Sequence, residues 1–385
     1  MIIGVIAGAL ATVAAFPLVI LTIETLAGLA RLKHLPASTT TPRTMVLIPA
    51  HDEAGGIAAV VTAIKAQCSD ILVVADNCSD ATAANARAAG ARVVERSDAS
   101  QRGKGYALAF GRDVIADDAP DIVIIIDADC MASDDALPLL AKIAAQTGRV
   151  VQGRYELDTL PDAPPITRIS NFAFTMKNVV RQRGLMRIAG TCVLTGTGMA
   201  FSWALFRDAP LATGDSVEDL AIGLSLVRSG HAPIYADEAR VSSMPALGKA
   251  AVTQRTRWEH GFVATASKVA PGMILSGIAR RDWRSIWLGL HLLVPPLALT
   301  FALALVTLII VTSLGWLSSF MPALTLSGVV ALAGLAVLGG WHAVGRHILP
   351  FATLLRVPLY IAWKLPIYLK LARGADRRWT RTERD

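Results

Sequence analysis

Residues 121–129 read DIVIIIDAD, and this stretch decides the fold class. Its five apolar residues, 122–126, are all β-branched, which favours a buried strand over a helix. Similar runs precede it, and alanine-rich stretches of helical length separate the runs: MVLIPA at 45–50, ILVVA at 71–75 and ARVVE at 91–95, with helices expected at 56–67, 80–89, 104–116 and 134–147. Repeated alternation of strand and helix predicts an α/β fold built on a parallel sheet.

Two acidic residues, Asp127 and Asp129, directly follow the apolar run. In an extended chain, residues i and i+2 point to the same side, so we expect both carboxylates to project past the strand end toward one point. Oxygen ligands of this kind suit Mg²⁺ or Mn²⁺, which can neutralise a diphosphate. The alternative is a helix cap or a solvated turn that binds nothing, because aspartate is common in both.

The ends of the other strands are polar as well, and open parallel sheets bind ligands at the carboxyl ends of their strands. The first strand ends in PAHDEAGG, which contains Glu53, and the second ends in VVADNCSDAT, which contains Asp76. Either carboxylate can accept a hydrogen bond from a base or a ribose hydroxyl. Lys104 opens the third helix, where a lysine can meet a phosphate beside backbone N–H groups. The simpler interpretation is that acids such as Asp80 only cap the following helices.

The composition indicates a membrane protein and excludes several other classes. Hydrophobic residues make up 53% of the 385 residues and charged residues 17%, and the mean hydropathy is +0.49. The net charge of +7 comes largely from basic clusters that adjoin apolar runs, which suits anionic lipid headgroups better than nucleic acid. The four cysteines form no CxxC pair and no cluster at zinc spacing, and the absence of GxxxxGK[ST] excludes a P-loop NTPase.

Three uncharged runs predict helices that span a membrane. Residues 2–23 are long enough to cross the hydrocarbon core, and basic residues come only after them, so we interpret them as a spanning helix with its N-terminus outside rather than a cleaved signal peptide. Residues 286–314 and 323–343 predict a membrane hairpin. Pro295 and Pro296 should kink its first helix, because proline lacks the N–H group and clashes with the preceding turn.

The segment 348–372 differs from these runs because proline recurs in it every eight residues and it carries Arg356, Lys364 and Lys370. A charged side chain at the bilayer centre costs about 2.5 kcal/mol or more, so we expect amphipathic helices in the interface, with basic tips extending to water. The alternative is a fourth span, which would place the basic tail outside, against the positive-inside rule.

Six motifs together resemble one known family in their order and approximate spacing: PAHDE, ADNCSD, DAD at 127–129, GTGMAF at 196–201, VEDLAIG at 217–223 and QRTRW at 254–258. The chain resembles the inverting glycosyltransferases of family 2 over about residues 44–265. Within that family it is similar to the membrane-bound, cellulose-synthase-like branch, and ADNCSD is similar to a bacterial exopolysaccharide subgroup. The resemblance implies a GT-A fold, with a Rossmann-like mixed sheet, that binds a UDP-sugar together with Mg²⁺ or Mn²⁺.

The resemblance also implies roles for individual residues. It implies donor contacts by Glu53, Asp76, Asp127, Gln254, Arg257 and Trp258, metal binding by Asp127 and Asp129, and general-base catalysis by Asp219 with Glu218 beside it. Lys104 joins the predicted donor contacts through its place at a helix start. Chemistry agrees, because inversion needs an acid away from the metal pair to take the proton of the acceptor hydroxyl. The alternative for the two acids at 218–219 is to stabilise a helix N-terminus, and for the QRTRW residues to anchor a helix at the membrane surface.

The predicted organisation has five segments: an N-terminal transmembrane helix at 1–31, a GT-A catalytic domain at 44–250, an interfacial helix region at 251–284, a transmembrane hairpin at 285–345, and an interfacial segment with a basic tail at 346–385. We expect sugar transfer from a nucleotide sugar to a lipid-linked or glycan acceptor, in exopolysaccharide or glycolipid synthesis. The catalytic domain is expected on the cytoplasmic face of a bacterial inner membrane, with membrane lipids as further partners and no nucleic acid.

Two other functions stay open at this point. A processive polysaccharide synthase would need a translocation channel, and so few predicted spans would require an oligomer or a partner subunit to form one. A membrane-anchored scaffold with an inactive nucleotide site is the second alternative, and the complete set of acidic residues argues against it.

Overall fold

The structure is a computed structural model that describes residues 1–212 and 217–372. The predicted basic tail from residue 373 onward lies outside the described residues. The chain forms two compact units. The first comprises Met1–Arg31, Thr159–Gly190 and the described chain from Val263 onward, and the second comprises Leu32–Asp158 and Thr191–Phe262. Residues 159–190 therefore belong with the N-terminal helix, although in sequence they lie inside the interval predicted for the catalytic domain.

Helices occur in both units. In the described chain they are α1 (Ile2–Gly28), α2 (Ile57–Lys65), α3 (Thr82–Ala88), α4 (Lys104–Ile115), α5 (Ala136–Thr147), α6 (Pro165–Thr175), α7 (Arg181–Ala189), α8 (Trp203–Arg207), α9 (Glu218–Arg228), α10 (Gly248–Arg280), α11 (Trp283–Leu292), α12 (Leu297–Gly315), α13 (Met321–Gly340), α14 (Phe351–Leu354) and α15 (Val357–Ala372). A short 3₁₀ helix covers Ala116–Asp118, and π-helical turns cover Met176–Val180 and Trp341–Gly345.

The second unit contains one mixed β-sheet. Its strands are β1 (Thr44–Ala50), β2 (Ile71–Asp76), β3 (Arg92–Arg96), β4 (Ile122–Ile125), β5 (Cys130–Ala132), β6 (Val151–Leu157), β7 (Met199–Ser202) and β8 (Ile234–Ser243). Their order across the sheet is β3-β2-β1-β4-β7-β6-β8-β5. The first four run parallel, whereas β7 is antiparallel to β4 and β6, and β5 is antiparallel to β8. This arrangement matches the mixed sheet of a GT-A fold, and the four strands and four helices expected up to residue 147 are confirmed.

Buried aliphatic side chains of the parallel strands form the core between the sheet and α4. Leu47 on β1 and Val74 on β2 are completely buried, as expected for strands covered on both faces. A Cβ atom on Gly111 would lie 2.7 Å from Leu47 Cδ1 and 3.0 Å from Val74 Cγ2. Glycine at 111 therefore lets α4 lie directly against the strands whose carboxyl ends form the candidate site.

Within the first unit, α1 and α7 approach each other very closely. A Cβ atom on Gly28 would overlap the carbonyl oxygen of Val180, and a Cβ atom on Gly184 would overlap that of Glu24. Glycine at these two positions is what allows the backbones to come together. Toward its N-terminal end, α1 packs against α12 and α13 through small apolar side chains.

A buried polar cluster joins α1, α7 and α11 in the same unit. Glu24 is fully buried, and one of its carboxylate oxygens accepts a hydrogen bond from Arg181 Nε at 2.8 Å. Its other oxygen lies 2.9 Å from His291 Nδ1 and accepts from Trp287 Nε1 at 3.2 Å. Charges buried to this degree persist only when they are paired, so the cluster fixes the three helices to one another.

Four described helices are long and apolar enough to cross a membrane: Ile2–Gly28, Thr253–Arg280, Leu297–Gly315 and Met321–Gly345. Three of them overlap the predicted spans, although the predicted span 286–314 also includes most of α11. The second is the least apolar of the four and falls where the sequence predicts an interfacial helix. The kink expected at Pro295 and Pro296 is instead a complete break, because α11 ends at Leu292 and α12 begins only after the two prolines.

The segment 348–372 is not among the candidate spans, and it forms α14 and α15. The expectation that its basic side chains extend to water is wrong for Lys364, which is only 4% exposed. Its ammonium nitrogen lies 5.4 Å from the ring centre of Tyr360 and 5.9 Å from that of Tyr368. The Lys364 ammonium group therefore makes cation–π contacts with two tyrosine rings instead of extending to water.

Candidate active site

The acidic pair Asp127 and Asp129 lies in the turn that joins β4 to β5. The expectation that alternation in an extended chain aligns the two side chains is wrong, because β4 ends at Ile125 and the N–H of Cys130 donates to the Asp127 carbonyl at 3.0 Å, which closes a turn. The turn nevertheless brings carboxylate oxygens of both residues and the Cys130 thiol within 4.8 Å of one another. The predicted convergence is therefore present, and a turn produces it.

Lys104 is the first residue of α4 and faces this turn. Its ammonium group donates to Asp127 Oδ1 and, at 2.8 Å, to the carbonyl oxygen of Gly196. Glu218 Oε1 lies 3.9 Å from the same nitrogen. Lys104 thus provides the positive charge at the centre of a group of acids.

Two of those acids, Glu218 and Asp219, begin α9 as the sequence predicts. Gly196, at φ +90°, lies against both Asp219 and Lys104, because a Cβ atom there would be 3.3 Å from Asp219 Oδ2 and 3.3 Å from Lys104 Nζ. Asp219 also accepts a hydrogen bond from the N–H of Leu220 at 2.8 Å, which holds its carboxylate at the start of the helix. Glu218 is buried rather than solvated on a helix N-terminus.

The electrostatics of this group follow from burial and mutual contact. Burial opposes the charge on Lys104, but the carboxylates of Asp127 and Glu218 outweigh it and raise the pKa of the lysine. Burial raises the pKa of Asp127, with the negative charge of Asp129 adding to it and Lys104 opposing. Burial, opposed by Lys104 and assisted by Asp219, raises the pKa of Glu218 to about 7. Acids whose pKa is raised by burial and by neighbouring charges in this way are typical of sites that bind cations or move protons.

The sequence model of glycosyltransferase like family 2 matches residues 42–261, which include this entire group. The chain belongs to that family. No curated protein is significantly similar to it in sequence.

Two solved structures are similar to this chain to different extents. A mannosyltransferase from Pyrobaculum calidifontis, in complex with GDP-Man and Mn²⁺, is 18% identical, with a TM-score of 0.58 over 94% of this chain and 99% of that one. Glucosyl-3-phosphoglycerate synthase from Mycobacterium tuberculosis, in complex with Mn²⁺, UDP-glucose and phosphoglyceric acid, is 20% identical, with a TM-score of 0.41 over 59% of this chain and 79% of that one. The first similarity extends the shared fold beyond the residues that the family model matches.

In this family 2 member, the predicted donor residues Glu53 and Asp76 lie at the carboxyl ends of β1 and β2. The N–H of Glu53 donates to the Thr82 hydroxyl at 2.7 Å, and its carbonyl accepts from the first residue of α2. Asp76 is buried, and one of its carboxylate oxygens accepts from Arg96 at 2.7 Å. Asp80 accepts hydrogen bonds from the N–H of Thr82, the first residue of α3, at 2.9 Å and from the N–H of Ala54 at 3.1 Å, whereas the N-cap position of α3 is Ala81.

Gln254, Arg257 and Trp258 lie on α10, where their spacing places them on one face of the helix. All three are half-buried. They form a second group of predicted site residues, separate in the chain from the acids around Lys104.

Sequence reasoning missed residues that hold the site in place. Thr197 accepts a hydrogen bond from the N–H of Asp127 at 3.1 Å, and the fully buried Gln152 holds the loop before it by accepting from the N–H of Thr195 at 2.9 Å. Gly196 and Thr197 fall in GTGMAF, which the sequence identified only as a motif. Gln152 is the second residue of β6, which also contains Arg154 and Glu156, so the local sequence does not distinguish it.

Proposed function

We propose that this chain transfers a sugar, with inversion, from a nucleotide sugar to a lipid-linked or glycan acceptor. The observation that carries the proposal is the convergence of Lys104, Asp127, Glu218 and Asp219 at the carboxyl end of β4 in a family 2 fold. Asp127 suits a diphosphate and its cation, and Asp219 suits an acceptor hydroxyl. A UDP-sugar is the donor expected from the sequence, and the similar mannosyltransferase, which binds GDP-Man, makes GDP-sugars the first comparison.

The residues of the turn fit a hard divalent cation. Asp127 and Asp129 offer carboxylate oxygens close together, which is the ligand chemistry that Mg²⁺ and Mn²⁺ prefer. The raised pKa of Asp127 supports the same assignment, since a second positive charge would relieve the repulsion from Asp129. When bound, the cation would neutralise the charge that develops on the departing diphosphate.

In the proposed reaction, the acceptor oxygen bonds to the anomeric carbon as the bond from that carbon to the diphosphate oxygen breaks. The nucleoside diphosphate leaves with the bonding electrons, and the hydroxyl proton passes to a carboxylate. We assign that proton to Asp219. Lys104 would keep the carboxylates of Asp127 and Glu218 in position and place a positive charge beside the diphosphate.

Glu218 is the competing base, and its surroundings distinguish it from Asp219. Only a deprotonated carboxylate can accept the proton. With a pKa of about 7, a Glu218 base would give transfer that rises with pH through neutrality. If Asp219 is the base, Glu218 acts through its contact with Lys104 as a positioning residue.

We further propose that the enzyme is a multi-pass protein of the bacterial inner membrane with its catalytic domain in the cytoplasm. Spans at α1, α12 and α13, with an outside N-terminus, keep the arginines at 280–284 and the C-terminus inside, which agrees with the positive-inside rule. If Thr253–Arg280 also spanned the membrane, those arginines would lie outside. We therefore assign this helix to the interface, where an acceptor with a lipid anchor would be within reach.

The base assignment is tested by separating donor binding from transfer. Asp219→Asn should bind nucleotide sugar and Mn²⁺ with near-native affinity, because it removes no proposed donor contact, but should transfer about 10²–10⁴ times more slowly. Titration of donor binding and measurement of single-turnover transfer give the two quantities. Asp113→Asn, on the exposed side of α4, is the matched control and should change neither. Loss of donor affinity in Asp219→Asn, with transfer by bound donor unchanged, would contradict the assignment.

A further inference from the structure

The carboxylate of Asp76, a predicted donor contact, is held through one of its two oxygens by neighbouring side chains. Oδ1 accepts a hydrogen bond from Arg96 Nη1 at 2.7 Å and another from Asn77 Nδ2 at 3.0 Å. Oδ2 accepts no hydrogen bond from the residues that the structure describes. Because Asp76 is only 5% exposed, these two contacts, rather than solvent, set the direction of its carboxylate.

The guanidinium group of Arg96 is fixed on Asp76 by contacts on its other sides. Nη1 also donates to the carbonyl oxygen of Gln101 at 2.8 Å, and Nη2 donates to Asp98 Oδ2 at 3.2 Å. The guanidinium carbon lies 5.7 Å from the ring centre of Tyr106 on α4, within the range of a cation–π contact. A buried guanidinium with this many partners keeps its position when a ligand arrives, so it continues to occupy Oδ1 of the acid.

The side-chain amide of Asn77 has a defined orientation as well. Its Oδ1 accepts from the N–H of Asp98 at 2.8 Å, and a backbone N–H only donates, so the NH₂ group faces Asp76. The residue has φ +52°, a left-handed conformation that asparagine tolerates better than most residues. The local backbone therefore favours the residue type that supplies the second donor to the Asp76 carboxylate.

These contacts limit what the Asp76 carboxylate can offer a nucleobase. A carboxylate has about four acceptor positions, shared between its two oxygens, and the two donors on Oδ1 leave Oδ2 for a ligand. Guanine presents two adjacent N–H groups, N1–H and N2–H, which a carboxylate receives best with both oxygens. Uracil presents a single N–H, between two carbonyl oxygens, and needs one acceptor.

We propose that Arg96 and Asn77 are positioning residues that set nucleobase selectivity: by occupying one oxygen of Asp76, they favour uracil over guanine. The inference rests on the proposed function, in which Asp76 contacts the donor, and it narrows that donor to UDP-sugars. Neither Arg96 nor Asn77 touches the base in this account, because both act through the Asp76 carboxylate.

Binding of UDP and GDP to the full-length protein in detergent, measured by calorimetry with Mn²⁺ present, tests the inference without turnover. UDP should bind about tenfold or more tightly than GDP, which is the worth of one hydrogen bond in a closed site. Arg96→Met frees Oδ1, so the ratio of the two affinities should fall toward one. Arg92→Met is the matched control, because Arg92 begins the same strand, lies near the sulfur of Met45, and should leave the ratio unchanged.

Asn77→Asp is a second variant with a smaller change. It keeps the size of the side chain and the acceptor for the N–H of Asp98, but it removes the donor to Asp76, so it should also lower the ratio. If Arg96→Met unfolds at the assay temperature, this variant decides the test. A purely structural role for the two residues would weaken both nucleotides equally and leave the ratio as it is.

Three results would overturn the inference: equal binding of UDP and GDP by the wild type, tighter binding of GDP, or a full ratio retained in both Arg96→Met and Asn77→Asp. In each case the protein still binds a nucleotide, so the proposed sugar transfer stands. Binding of neither nucleotide by the wild type would instead contradict the proposed function, and the inference with it.

Discussion

Replacing Glu24 by glutamine tests the buried cluster that joins α1, α7 and α11. The substitution keeps the size of the side chain and removes its charge. Arg181, which is 5% exposed, would then keep its charge in a buried site with a neutral partner. His291 and Trp287 would face the same neutral amide.

The expected cost follows from this burial. Breaking a buried ion pair by neutralising one partner costs about 3–5 kcal/mol, because the other charge is left uncompensated. For a unit of 150–250 residues each kcal/mol corresponds to about 2–4 °C, so the melting temperature should fall by about 6–20 °C. Replacing both charges, in Glu24→Gln with Arg181→Met, removes the uncompensated charge and should recover much of the loss.

Thermal unfolding of the purified protein in detergent, followed by intrinsic fluorescence, measures both effects. The double variant is the control that separates charge from packing, because it changes more atoms than the single variant. A single variant within about 2 °C of the wild type, or a double variant less stable than the single one, would refute the reasoning.

Three further predictions concern the cation, the helix crossing and the topology. Asp129→Asn should weaken Mn²⁺ binding, measured by electron paramagnetic resonance, whereas the exposed Asp134→Asn should not; equal affinities would remove Asp129 from the metal site. Gly184→Ala should destabilise the protein by several kcal/mol because its Cβ overlaps the backbone of α1, whereas Gly8→Ala, with nothing within 4 Å, should be neutral or stabilising; the melting temperatures of the two variants check this. A C-terminal alkaline phosphatase fusion should be inactive in cells, because we place the end of 348–372 in the cytoplasm; an active fusion would contradict the three-span topology.

The fold of the catalytic unit could be predicted from the sequence because each local signal agrees with the others. The run at 122–126 is β-branched and bounded by charged or polar residues, and β4 forms there. Lys104 and Glu218 begin helices where the sequence expects them. An α/β fold can be predicted from its sequence when strand pattern, helix start and motif agree in this way.

The features that could not be predicted depend on contacts between distant parts of the chain. Glu24 directly follows the uncharged run 2–23, and only its pairing with Arg181, 157 residues later, explains its burial. The assignment of 159–190 to the first unit likewise depends on the close approach of Gly28 and Gly184. At the site, the sequence found Asp127 and Asp129, but alternation does not describe the turn that brings them together, in which the N–H of Asp127 also donates to Thr197, 70 residues later.

The central claim is that the chain transfers sugar from a nucleotide donor, and one assay tests it most directly. The purified protein would be supplied with Mn²⁺, a bacterial membrane lipid extract and a panel of radiolabelled UDP- and GDP-sugars, and incorporation into lipid or polymer would be measured beside Asp219→Asn. The account predicts that at least one donor is incorporated, that EDTA abolishes incorporation, and that the variant loses about 10²–10⁴-fold in rate. Incorporation that persists at the same rate in EDTA and in Asp219→Asn, or no incorporation from any donor, would contradict it.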